Sequence, residues 1–154
     1  TVANSIIGLP METRELVFDT IKFNQSLPDD IEATGAFIFT PYHGTALRKI
    51  AVEKKYIDES AICSLATTTG SILSMPQLST DEIVDLQKFF SFYVKSDREG
   101  WGDIKYVEDN YRKEPELFDE IRKDFTEKMF KKEFEDYRGA KDLVIDANDY
   151  SDLH

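Results

Sequence analysis

The sequence predicts an α/β fold: a βαβ unit with two parallel strands, then a mainly helical C-terminal extension. Two short apolar runs, Val2–Ile7 and Gly35–Thr40, are closed by glycine or proline and carry an amphipathic helical pattern between them. Further on, two long stretches repeat large apolar residues at helical spacing.

Val2–Ile7 reads as a buried strand ended by Gly8–Leu9–Pro10. Thr13 caps the following helix, in which Leu16, Val17, Ile21 and Leu27 share a face and Glu12, Arg14, Glu15 and Lys22 meet solvent. Pro28 stops it. Gly35–Thr40 is apolar on both faces, as suits a parallel strand covered on both sides. Pro41–Gly44 is a turn, and Thr45 caps a short helix carrying Leu47, Ile50 and Ala51. Residues 55–77 lack a period and are rich in Ser and Thr around Thr67–Ser71, which predicts a long ordered loop. Ser79 and Glu82 form a capping box ahead of an apolar face of Ile83, Leu86, Phe89, Phe90 and Tyr93, reaching about Lys95. Residues 96–113 are polar apart from Trp101. Pro115 opens a second amphipathic helix with Phe118, Ile121, Phe125, Met129, Phe130, Phe134 and Tyr137, ending near Gly139.

Composition narrows the function. The 154 residues carry a net charge of −11, from 30 acids and 19 bases, so phosphate backbones are repelled and nucleic-acid binding is not expected. The acid concentrates after Asp97, in Glu133–Asp136 and the tail Asp146–Asp152, as a solvated helix face and a frayed end. No apolar run reaches the ~20 residues of a membrane span, so no membrane partner is expected. A single cysteine, Cys63, fits a reducing, cytoplasmic setting. Its apolar neighbours suggest an inert buried thiol. His43 lacks a partner motif and reads as a plain loop residue. The opening Thr1–Val2–Ala3–Asn4 has no initiator Met and is expected to be a boundary within a longer protein.

Two segments are more specific. They are Ile6–Ile7–Gly8–Leu9–Pro10–Met11–Glu12–Thr13 and Phe37–Ile38–Phe39–Thr40–Pro41–Tyr42–His43–Gly44–Thr45–Ala46–Leu47. Taken in order, at a βαβ distance, the pair resembles the fifth and sixth strands of radical S-adenosylmethionine (SAM) barrels. That family has Gly–Leu/Phe–Pro–Gly–Glu–Thr after one strand and Pro–Tyr–Pro–Gly–Thr–x–Leu after the next. Ala51–Ile57 is similar to the family's continuation, a helix followed by Gly–Tyr/Leu–Ile. Met75–Pro76–x–Leu78–Ser79 and Phe92–Tyr93–Val94 are similar to members with an upstream cobalamin-binding domain. The likeness covers residues 1–95 and fades beyond. Met11 stands where the family has Gly, and His43 where it has the second Pro.

The resemblance implies a partial (βα) barrel. Residues 1–58 would be its C-terminal βαβα part, and residues 59–154 a loop, two amphipathic helices and the acidic tail. The parent would be an enzyme whose 4Fe-4S cluster reduces SAM to a 5′-deoxyadenosyl radical, with an unidentified small-molecule substrate and a possible cobalamin. The family holds that cluster with three cysteines in a Cys–x3–Cys–x2–Cys loop, and this chain has one. The isolated chain is therefore expected to be inactive, with no catalytic or metal residues of its own. By the resemblance, Asn4, Ser5, Gly8 and Glu12 approach the ribose and methionine part of SAM, and Phe39, Pro41 and Tyr42 the adenine. On the residues alone, Asn4 or Ser5 can equally hydrogen-bond a neighbour, and Glu12 can be a structural cap. The apolar stripes need covering, by the rest of the parent barrel or by self-association. Two rivals remain. One is a non-catalytic interaction module docking through acidic amphipathic helices; the other is a different (βα) barrel enzyme with similar strand-end turns.

Overall fold

A computed structural model describes residues 1–28, 31–63 and 70–142, except for the side chains of residues 34, 129–130 and 132–142. The acidic tail, most of the Thr67–Ser71 run and the side chains of Met129, Phe130, Phe134 and Tyr137 lie outside the described residues. Two compact units are present, Thr1–Glu108 and Asp109–His154.

In the first unit, β1 (Val2–Ile7) and β2 (Glu32–Ile38) form a two-stranded parallel sheet. Ile6 pairs with Phe37 and Ile7 with Ile38, and the register slips between Ala3 and Asn4. The crossover is α1 (Arg14–Gln25). Thr13 caps it, accepting from the Leu16 N–H at 3.4 Å, as the sequence predicts. After β2 comes α2 (Ala46–Glu53), capped by Thr45. No regular element occurs among the described residues from Lys55 to Leu78, in line with the expected loop.

The core is built by α3 (Thr80–Lys95), whose predicted capping box is present. It packs on β2 and α1, with Ile83, Leu86, Phe89 and Phe90 fully buried. Burial of such side chains contributes about 1.5–3 kcal/mol each. The α3 C-terminus is closed by borrowed donors. Gln25 Nε2 reaches the Tyr93 and Ser96 carbonyls at 3.0 and 2.9 Å, and Trp101 Nε1 reaches Tyr93 O at 3.0 Å. The polar stretch after α3 holds a 3₁₀ turn (Arg98–Gly100) and an unpredicted helix, α4 (Trp101–Asn110). Its signal is weak because Trp101, Ile104 and Val107 are its only apolar anchors on the inner side. The first unit includes the sheet, α1, α2 and α3, and it extends to Glu108.

Helices α1 and α3 lie over one face of the sheet. Ala3, Ser5 and Ile7 point inward, while Val2, Asn4 and Ile6 point outward. Phe37 is 44% exposed, so among the described residues β2 is covered on one side only, although it is apolar on both.

The second unit contains α5 (Pro115–Asp142), with Pro115 at its first position. Tyr111 packs against Phe118 at 6.0 Å between ring centres.

Candidate functional site

Parallel α/β folds bind ligands where strands end and the chain turns into helices. Here the C-terminal ends of β1 and β2 lie side by side, with the Phe39 N–H on Ile7 O at 2.8 Å. Each end is followed by a turn that one buried charged side chain fastens.

After β1, the backbone reverses at Gly8, which has φ +80°. A Cβ there would lie 3.2 Å from Ile83 Cγ2, so glycine satisfies both the dihedral and the close approach of α3. Glu12 folds back beneath the turn. One carboxylate oxygen accepts from the Gly8 N–H and, at 3.0 Å, from the Leu9 N–H. Gln77 Nε2 donates to the Glu12 carbonyl at 3.2 Å. Burial raises the Glu12 carboxyl above its ordinary value, and the two amide bonds partly oppose that. Met11 takes φ +70°, a left-handed conformation that a glycine would adopt without strain.

After β2, the turn is held from the opposite side of the charge scale. Arg48, 5% exposed, donates to the carbonyls of Pro41 at 2.8 Å, Glu59 at 2.9 Å and Ala61 at 2.8 Å. Cys63 Sγ lies 3.1 Å from the same Pro41 carbonyl and 3.5 Å from Arg48 Nη1. Gly44 supplies a second left-handed turn residue at φ +81°. Thr45 Oγ1 donates to Tyr42 O at 2.8 Å while accepting the Arg48 N–H at 3.3 Å.

Beside the β2 turn, on the uncovered side of the sheet, is a groove of about 280 Å³ lined by Ile6, Phe37, Ile38, Phe39, Thr40, Tyr42, Thr45 and Leu47. It is apolar, with hydroxyls at its margin. A flat aromatic ligand with a polar rim suits such a surface. A wider groove of about 620 Å³ runs outside the β1 turn and α1, past Leu9, Met11, Leu16 and Phe23.

The expected site residues separate into two groups. Phe39 and Tyr42 line the strand-end groove, and Asn4 is exposed on the same sheet face two residues before Ile6. Ser5 points the other way and accepts from Asn24 Nδ2 at 2.9 Å. Gly8, Glu12 and Pro41 are buried in the turns, with the Gly8 amide and the Pro41 carbonyl engaged internally. His43 is exposed in the β2 turn. Cys63 is half-buried rather than enclosed. Ile6, Phe37 and Arg48 are the residues that sequence reasoning missed. For Ile6 and Phe37 the signal was available, since alternation along a strand puts them on the face of Asn4.

Over 92 residues, 58% of the chain, the sequence is 34% identical to an uncharacterized methyltransferase of Pyrococcus horikoshii. The chain spans 19% of that protein's length. No protein-family profile matches the chain. No solved structure matches it. Among the described residues, no three His, Cys, Asp or Glu side chains gather as a metal site would require, and no helix is long and apolar enough to cross a membrane.

Proposed function

We propose that this chain forms part of the SAM-binding wall of a radical SAM enzyme of the methyltransferase or oxidoreductase type. The observation that carries the reading is the apolar groove on the open sheet face, where the end of β2 and the turn after it meet Ile6 of the paired strand β1. The similarity to a methyltransferase supports a SAM-using parent.

The residues fit the adenosyl half of SAM. Phe37, Phe39 and Tyr42 offer apolar surface for adenine, Thr40 offers a hydroxyl in the groove, and Asn4 offers an amide for the polar remainder. The bound SAM would supply the transferable methyl or adenosyl group. The chain's own contribution is to bind and orient: Arg48 fixes the β2 turn, so that wall of the groove is set before ligand arrives. The residues do not fit an iron–sulfur cluster. Cys63 is the single thiol, and its sulfur is directed at the Pro41 carbonyl. Any cluster or cobalamin would be held by other parts of a longer protein, whose remaining barrel would be the partner of this sheet.

The test is made on the longer protein, reconstituted anaerobically with iron and sulfide and given SAM and a reductant. Formation of 5′-deoxyadenosine is the expected result. No 5′-deoxyadenosine, in a protein that also lacks iron–sulfur absorbance, overturns the reading.

A second reading has its own observation. Val2, Ile6 and Phe37 leave an apolar sheet face 44–59% exposed, as a non-catalytic docking module would. A chain that shows no SAM dependence in any assay and forms a stable complex through this face would favour it.

A further inference from the structure

We infer that Arg48 is a positioning residue for the strand-end groove, acting through the Pro41 carbonyl. The inference rests on the reading that this groove holds the ligand. Arg48 is buried, yet its partners are backbone carbonyls, not a carboxylate. A guanidinium removed from water without an acidic partner is costly, and several well-directed acceptors are needed to offset it. Those acceptors come from two separate backbone segments. Pro41 lies between Thr40 and Tyr42, which line the groove, while Glu59 and Ala61 belong to the loop after α2. The planar fork of the guanidinium spans both, a geometry that one lysine ammonium cannot copy. Cys63 Sγ on the same Pro41 carbonyl completes the anchor. The turn that forms the groove wall is thereby tied to the 59–63 loop, not left to its own hydrogen bonds.

Arg48→Lys and Arg48→Met separate local positioning from general stability. Amide hydrogen exchange is followed across the protein, together with the Kd for S-adenosylhomocysteine. Positioning predicts exchange at least tenfold faster in residues 39–47 and 59–63, with the amides of α3 unchanged. It also predicts a Kd raised at least tenfold in both variants. Exchange that rises uniformly through the first unit, or a Kd within threefold of wild type, overturns the proposal. Should Arg48→Met fail to fold, Arg48→Lys decides by the same two readouts. Failure of both to fold also overturns it, because Arg48 is then a general core residue. If the wild-type protein binds no S-adenosylhomocysteine, the ligand reading fails by itself, and the exchange pattern still decides whether Arg48 positions the turn.

Discussion

At the residue scale, two side chains stand where a glycine would relieve strain. Met11 has φ +70° and Lys55 φ +59°. Neither is a glycine, so the backbone keeps a conformation that the side chains disfavour. Met11→Gly and Lys55→Gly should each raise stability by up to about 1 kcal/mol, the left-handed penalty of about 1–2 kcal/mol less the entropy of a freer unfolded chain. Urea midpoints should rise with unchanged slope. Glu12 makes a contrasting case. Its raised carboxyl means that the folded chain binds the proton more tightly than the unfolded one. Its contribution to stability therefore falls as pH rises from the ordinary 4.5 through the raised value, then stays level. Glu12→Gln should remove that slope, seen in urea titrations between pH 4.5 and 7. Glu12→Ala should cost about 2–4 kcal/mol at pH 7, because the buried Gly8 amide and the part-buried Leu9 amide lose their acceptor. Glu12 was legible in the sequence as an acid preceding a helix. The direction in which it folds was not, because that depends on Gly8 being pressed against Ile83 of α3.

At the element scale, the helices with explicit caps were the most legible. Thr13, Thr45 and Ser79 each open a helix where local chemistry demands one. Helix α4 was not legible, because what holds it is tertiary. Glu108, 5% exposed, receives Arg14 at 2.7 and 2.9 Å and the Tyr93 hydroxyl at 2.6 Å. Around it, Phe18, Tyr93 and Trp101 meet edge to face at 4.9–5.8 Å. No window of sequence reveals a pair 94 positions apart. Glu108→Ala strands the buried Tyr93 hydroxyl and the Arg14 guanidinium, and should cost about 3–5 kcal/mol. Tyr93→Phe removes one charge-assisted bond, worth about 1.5–3 kcal/mol. Differential scanning calorimetry on both variants checks the order, with Glu108→Ala melting first.

At the scale of the whole molecule, the first unit is a sheet clothed on one side. The apolar character of both faces of β2 was plain in the sequence. That only one face is covered here follows from the number of strands: two, with α1 and α3 on the same side. Val2, Ile6 and Phe37 are left facing outward. Phe37→Ser should lower self-association in sedimentation velocity while costing about 1–2 kcal/mol in stability, because the ring is only partly buried. The same face carries the groove, so covering the sheet and completing a ligand site are one event in this account. Photolabelling tests that claim most directly. The longer protein is irradiated with an azidoadenosyl analogue of SAM and its peptides are mapped by mass spectrometry. The account predicts labelling confined, within this chain, to Asn4–Ile7 and Phe37–Tyr42, and abolished by excess SAM. Labelling of the outer α1 groove around Leu16 and Phe23, or of neither strand end, contradicts it.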